Sequence, residues 1–373
     1  MATKTTKKDS YSLKALAVKR CAAPALPYAP RNPRKYNPAI GLIGCGGITT
    51  HHLTAYKKAG YRVVAFCDHN AERAIEKQKS FYPKAQIYSD YNALLEREDI
   101  EVVDIATHPP ERPPIIEAAL EAGKHVLSQK PFVIDLSVGE RLVALAEKKK
   151  RCLAVNQNGR WAPHFSYIRQ AIAKGLIGDV LAAHLSVHWD HNWIAGTPFD
   201  KVKHVVLYDF AVHWFDILSC IMGDRAPLRV YASLAKSPAQ KAIPSLLGQA
   251  LIEYADAQAT LSFDADTRFG PRDRSFITGS AGTIESVGPD LTNQSITLTT
   301  QKGVCSPKLS GSWFPQGFHG TMAELLCAIE EKREPSNSAR NNLKSLALCF
   351  AAVASAETHE PVVPGSVRRL PGS

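Results

Sequence analysis

The sequence predicts an α/β protein of two domains, a doubly wound parallel sheet followed by an α+β domain with a large open, mostly antiparallel sheet. Three observations lead there. From residue 39 six β-rich runs alternate with amphipathic runs; beyond residue 157 strand-like runs follow one another with few helical runs between them. A chain of 373 residues with 45% hydrophobic content is also longer than a single core usually supports.

In the first domain, residues 39–157, AIGLI precedes TTHHLTAYKKAG, YRVVAFC precedes AERAIEKQKSFY, and AQIY precedes YNALLERE. VVDIAT then precedes PPIIEAALEAG, KHVLSQ precedes VGERLVALAEKKK, and CLAVNQN closes the series. These β-rich runs lack strict alternation, as strands covered on both faces do. In the second domain, residues 158–365, LAAHLSVHW, LRVYASLA, LLGQALIEYA, AQATLSFDA, RSFITGS and SITLTT read as strands. Turn residues such as Asp256 and GSAG at 279–282 separate them in the manner of an antiparallel sheet. Helices around 318–332 and 338–356 follow, divided at Pro335, and residues 366–373 form a tail.

One helix in the second domain carries charge. VLYDFAVHWFDIL at 206–218 sets Phe210, Trp214, Ile217 and Leu218 on one apolar stripe. Asp209 and His213, four apart, share another face. Read alone, Asp209 is the helix N-cap and Gly223 the terminator.

The net charge of +10 is local. Residues 1–38 hold nine basic groups against the single acid Asp9, which is +8 of the total and leaves the body nearly neutral. No basic patch argues for nucleic acid. This proline-rich arm reads as a flexible or surface-wrapping extension, without a signal-peptide core. No run approaches the roughly 20 apolar residues of a membrane span. Eight cysteines lie scattered, with no CxxC pair, so a reducing cytoplasm is expected, without disulfides or a zinc ribbon.

The first strand runs into GCGGIT at 44–49, with Gly44 and Gly46 in the first two places of a GxGxxG turn and Thr49 in the third. Such a turn brings backbone N–H groups and a helix N-terminus to a pyrophosphate. Asp68 ends the second strand 22 residues after Gly46, where a carboxylate bonds both ribose hydroxyls and repels a 2′-phosphate. NAD is therefore expected over NADP. Lys130, in LSQKPF at 127–132, lies at a strand's carboxyl end, where open α/β sheets bind ligands.

Together GLIGCGGI (41–48), VDIAT (103–107), AALEAGKHVLSQKPF (118–132), NQNGRW (156–161), IGDV (177–180), YDFAVHWFDI (208–217) and TGSAGTIES (278–286) resemble the Gfo/Idh/MocA oxidoreductases. The resemblance implies a Rossmann domain, an α+β domain whose open sheet joins subunits as a homodimer or homotetramer, and NAD(P)-dependent chemistry at a carbinol of a sugar, cyclitol or related polyhydroxylated molecule. It places Lys130 in the family's EKP motif and Asp209 and His213 in its DxxxH pair. It carries cofactor contacts to Gly44, Gly46, Gly47, Ile48, Asp68, Thr107, Gln129 and Lys130. Two positions depart: Gln129 replaces the motif's glutamate, and Arg112 stands where many members have histidine.

Hydride removal from a carbinol needs a base for the hydroxyl proton, and histidine, ordinarily titrating at about 6.5, suits that exchange. His213 is thus the expected acid/base, Lys130 the stabiliser of oxygen charge and Asp209 a binder of substrate hydroxyl. Arg160, Trp161 and Trp193 are candidate substrate contacts, each also open to a packing or ion-pair role. HLSVHWDHNW at 184–193 puts His184, His188 and Asp190 on one strand face with His191 behind, but no ligand geometry follows, so no metal is expected. Two further functions stay open: a redox-neutral enzyme holding NAD tightly, of glycoside-cleaving or epimerising type, and a non-catalytic NAD-binding regulator.

Overall fold

The architecture is that of a computed structural model, which describes residues 19–372. The first domain holds strands β1 (Ala39–Ile43), β2 (Arg62–Cys67), β3 (Gln86–Tyr88), β4 (Ile100–Ile105), β5 (His125–Ser128) and β6 (Leu153–Val155). They alternate with helices α1 (Thr49–Ala59), α2 (Ala71–Phe81), α3 (Tyr91–Leu95), α4 (Arg112–Glu121) and α5 (Leu136–Lys148). All six strands are parallel, in the order β3-β2-β1-β4-β5-β6, so the strand order reverses between β1 and β4. That reversal opens a crevice at the carboxyl ends of the strands. Side-chain caps fix the helix starts: Asn70 accepts the Glu72 N–H at 3.0 Å and Asp135 the Ser137 N–H at 2.8 Å.

The second domain begins with α6 (Pro163–Ala173) and β7 (Val180–His188), followed by α7 (Val212–Met222) and β8 (Pro227–Ala235). Then come β9 (Leu247–Tyr254), β10 (Gln258–Asp264), β11 (Arg272–Gly279), β12 (Gly282–Gly288), β13 (Ser295–Thr300) and β14 (Gly303–Cys305). The eight strands form one sheet in the order β14-β13-β12-β11-β7-β10-β9-β8, antiparallel except where β10 pairs with β7. Helices α8 (Trp313–Glu330) and α9 (Ala339–Thr358) close the chain, with non-helical backbone at Phe314 bending the start of α8.

Sequence reasoning overlooked α6, β12 and β14. Helix α6 buries almost every residue of its first turns, so no amphipathic stripe marks it, and β14 has three residues. Helix α8 packs on α1, where Phe318, Met322, Leu325 and Leu326 share a core with Leu53, Tyr56, Ile40, Leu42 and Phe66. Helix α8 therefore helps to cover the α1 face of the first sheet, while α9 packs on α5, α7 and β8.

Residues 19–38 of the arm wrap the surface, while 1–18 lie outside the described residues. Arg20 bridges to Val304, the Tyr167 hydroxyl donates to Pro24 O at 3.0 Å, and Glu330 accepts the N–H groups of Arg34, Lys35 and Tyr36 at 2.7–2.9 Å. Tail residues 366–372 are held against the start of α5, through Leu136 N–H to Arg368 O and Leu370 N–H to Ile134 O. Among the described residues no helix is long and apolar enough to cross a membrane, and Cys21 and the seven later cysteines are free thiols.

Candidate active site

The turn after β1 has two kinds of glycine. Gly44 has φ +89°, and a Cβ there would stand 2.9 Å from the Ala106 carbonyl carbon, so both conformation and space require glycine. Gly46 and Gly47 face open space, with nothing within 4 Å of a built Cβ, which leaves their backbone free to approach a ligand. Thr49 begins α1 and ties the turn back through its hydroxyl to Gly46 O at 2.6 Å. At the end of β2 the buried Asp68 carboxylate accepts Cys45 N–H at 2.7 Å and Asn70 N–H at 2.8 Å. Each oxygen keeps a second lone pair for a ribose hydroxyl. The buried Thr107 hydroxyl, past the end of β4, has no hydrogen-bond partner. A helix N-terminus, an unobstructed glycine turn, a fixed carboxylate and an unsatisfied hydroxyl around one crevice fit a dinucleotide.

Lys130 lies two residues past β5, at the same end of the sheet. Its Nζ donates to Asp209 O at 3.0 Å and to Asp209 Oδ2 at 3.3 Å, leaving a third N–H for a ligand. The two side chains, 79 residues apart in sequence, are each 17% exposed, so the pair meets the crevice without being freely solvated. Asp209 is not the cap of α7: residues 205–210 form a π-helical turn, and the cap position falls to Ala211, whose methyl group cannot accept a hydrogen bond. The wider turn sets the Asp209 carbonyl and carboxylate on Lys130 instead of on an N–H of the helix. Gly223 does end α7, its N–H on Ser219 O at 3.1 Å.

His213, in the first turn of α7, stands edge-on to Trp313 at 5.4 Å between ring centroids. Its Nδ1 is buried without a hydrogen-bond partner. Burial first, and the Lys130 ammonium second, hold its pKa well below the ordinary histidine value. The ring is therefore neutral at pH 7 and able to take a proton.

Arg112 shapes the Lys130 loop. Its guanidinium, 1% exposed, donates to the carbonyls of Thr107, Gln129 and Pro131, joining the loops after β4 and β5. Burial lowers its pKa to about 10. Gln129 turns inward, its Oε1 on Lys130 N–H at 2.7 Å and its Nε2 against His52 at 3.0 Å, so that Lys130 and not Gln129 presents a side chain to the crevice.

The three substrate candidates separate. Arg160 grips Asp216 with two bonds of 2.6 Å, and both are at most 5% exposed, which commits this guanidinium to the interior behind α7. Trp161 is buried under the Arg169 guanidinium, and a Cβ on Gly320 would stand 2.1 Å from its Cγ, so it serves packing. Trp193 is 57% exposed, with its ring 6.5 Å from Phe210, the neighbour of Asp209. Of the three, Trp193 is the one left exposed. His184 and His188 lie on the open face of the second sheet, bonded to Thr260 at 2.8 Å and Asp264 at 2.7 Å. Among the described residues no three His, Cys, Asp or Glu side chains gather as a metal site.

Trp313 and Phe314 had no signal in the sequence. The Trp313 indole N–H donates to Asn158 Oδ1 at 2.7 Å, and the Phe314 ring lies 4.9 Å from His51 on α1. The start of α8 thus spans from the cofactor helix to the histidine. A cavity of about 490 Å³ lies at the far end of α7 around Asp224, Lys344 and Pro364, away from this chemistry.

Residues 39–157 match the sequence profile of the oxidoreductase family with an NAD-binding Rossmann fold (GFO_IDH_MocA), and residues 165–285 that of the GFO/IDH/MocA C-terminal domain. The chain is 28% identical over 343 residues to the D-apiose dehydrogenase of Paraburkholderia graminis, covering 84% of this chain and 86% of that one. It is 26% identical over 326 residues to an inositol 2-dehydrogenase of Rhizobium meliloti, covering 85% and 96%. An Agrobacterium radiobacter oxidoreductase, solved with NAD+, L-tartaric acid and magnesium, superposes with a TM-score of 0.79 at 23% identity, over 89% of this chain and 99% of that one.

Proposed function

The chain belongs to the Gfo/Idh/MocA family of NAD-binding oxidoreductases, and on that premise we propose that it transfers a hydride between nicotinamide and a carbinol carbon of a sugar, cyclitol or related polyhydroxylated molecule. The observation that carries this reading is the meeting of Lys130 and Asp209, with the neutral His213 close by, at the crevice where the dinucleotide turn opens. Bound NAD supplies the hydride acceptor. The chain's own part is the proton and the charge. His213 takes the hydroxyl proton as the C–H bond breaks. Lys130 holds the same oxygen and offsets the negative charge that develops on it. Asp209 keeps the ammonium in place and accepts from a neighbouring substrate hydroxyl. Trp193 offers a flat wall to the ring beyond Asp209. The open face of the second sheet, with exposed Leu181, Tyr231 and Leu251, is assigned to self-association into a dimer or tetramer.

The test offers NAD or NADP with a panel of aldoses, ketoses, cyclitols and sugar acids, following reduced nicotinamide by absorbance. Turnover with NAD is expected for at least one panel member. Lys130→Ala and His213→Ala should each lower kcat by ~100-fold or more, the usual worth of a positioned acid/base, while NAD affinity stays within about threefold. Tight NAD binding without reduction by any panel member would refute the dehydrogenase reading.

A further inference from the structure

Behind Lys130 lies a string of polar side chains, Tyr56, Asp104, His52, Gln129 and Asn156, none more than 5% exposed. Its hydrogen bonds fix their own direction. The Lys130 backbone N–H donates to Gln129 Oε1 at 2.7 Å, and because an N–H cannot face an NH2 group, the amide of Gln129 has one orientation. Its Nε2 therefore points at His52 Nε2, 3.0 Å away, where Asn156 Nδ2 also arrives at 3.2 Å. On the other side of the ring His52 Nδ1 is 2.7 Å from Asp104 Oδ2, which also accepts the Tyr56 hydroxyl at 2.7 Å. A carboxylate only accepts, so the ring proton is on Nδ1, and Nε2 offers a lone pair to the two amides. Thr321, on α8, donates to Asn156 Oδ1 at 2.9 Å and ties the string to the second domain.

We propose that Gln129, backed by His52 and Asp104, is the positioning residue of Lys130, a neutral spacer that fixes the lysine's backbone at the crevice and carries no proton to it. The proposal rests on the dehydrogenase reading and adds residues that touch neither substrate nor cofactor. Two clamps meet at this point of the chain. Gln129 Oε1 takes the Lys130 N–H, while Arg112 takes the carbonyls on both sides, those of Gln129 and Pro131. Both clamps are buried, and such support is what a catalytic group needs to stay within a fraction of an ångström of its working geometry.

The residue type at 129 follows from the ring it faces. A glutamate, which the related EKP motif has there, would set a carboxylate oxygen against the His52 lone pair. That contact is repulsive unless the ring takes a second proton and lies as an imidazolium between two carboxylates. With glutamine no such proton is needed, and the support of Lys130 does not depend on the charge of His52.

The experiment compares Gln129→Ala, Gln129→Glu and Lys130→Ala with the parent protein, all loaded with NAD. Turnover is measured from pH 5.5 to 9, and the rate at which acetic anhydride labels Lys130, relative to exposed lysines, is read by peptide mass spectrometry. Gln129→Ala should lower kcat by roughly 10- to 100-fold, the effect of a misplacement near 1 Å, with NAD affinity within about threefold. Gln129→Glu should lower kcat as well, because its carboxylate oxygen meets the His52 lone pair where the amide N–H donated. It should also slow Lys130 labelling at least about threefold through the added negative charge. Parent-like turnover, labelling and pH profile in both Gln129 variants, with Lys130→Ala inactive, would overturn the positioning role and leave the site assignment standing. If no panel member is oxidised by the parent, the dehydrogenase reading falls. The labelling comparison, which needs no substrate, then decides the Gln129–Lys130 link by itself: unchanged labelling refutes it.

Discussion

Asp273, on β11 and away from the active site, should make stability fall as pH rises. Its side chain is fully buried, and neither carboxylate oxygen has a hydrogen-bond partner; the Ser275 hydroxyl, two residues on, is also unpartnered. Burial first, then the charge of Asp290, pushes its pKa from 3.8 to about 7. A folded carboxyl with a raised pKa binds its proton more tightly than the unfolded chain does, so stability is lost between about pH 4 and pH 7. About 3 units at 1.36 kcal/mol each give ~4 kcal/mol above pH 7, of which ~1.6 kcal/mol is already lost at pH 5. Asn has the same shape and no charge, so Asp273→Asn escapes this penalty. Urea unfolding followed by tryptophan fluorescence should find the variant more stable than the parent by about 2–4 kcal/mol at pH 8, the lower figure allowing for relaxation around the charge, and by clearly less at pH 5. A variant no more stable at pH 8, or a gap equal at the two pH values, would show that Asp273 is solvated or paired and would refute the reasoning.

Two more outcomes follow from the active site. Because the His213 pKa lies well below the ordinary value, its base form persists into acid. kcat/KM for oxidation should thus stay level from pH 8 to about pH 6, and a loss of activity with a midpoint at or above about 6.5 would contradict the burial of this ring. Asp68→Asn removes the charge proposed to receive the ribose hydroxyls but keeps one side-chain oxygen to accept a backbone N–H. NAD should bind roughly 10- to 100-fold more weakly, with NADP little changed, and isothermal titration showing an unaltered NAD to NADP ratio would move cofactor choice elsewhere.

The first domain was legible because each strand and helix carries its signal within a dozen residues. The glycine turn and Asp68 stand out for the same reason: the spacing of a strand–turn–helix unit is local. What could not be read was contact across the chain. Arg160 and Asp216 are 56 residues apart and each is unremarkable alone, so nothing in NQNGRW distinguished an internal ion pair from a substrate contact. His52 lies in an amphipathic run, where a buried position promises packing rather than a hydrogen bond to Gln129, 77 residues on. The Asp209 cap failed for a different reason. The stretch is helical, as its apolar period indicates, but periodicity does not distinguish a π turn from an α turn, and one added residue per turn redirects a side chain by most of a right angle.

That turn bears on how the site is held together. Lys130 is on the first domain and His213 on the second, so their relation depends on contacts between the two. Three such contacts converge. Asp209 bonds Lys130 directly; Thr321 on α8 bonds Asn156 of the string behind Lys130; and Trp313, fixed by Asn158, packs on His213 while Phe314 reaches His51. Two of the three come from α8, which packs on α1 and starts beside the histidine. A single helix thus touches α1, the string behind Lys130 and His213. The arm reinforces this arrangement from outside, since Glu330 at the end of α8 takes three of its N–H groups and Ser310, just before the helix, bonds Tyr28 at 3.0 Å. The described part of the arm is thus bonded near both ends of the helix that packs on α1 and on His213.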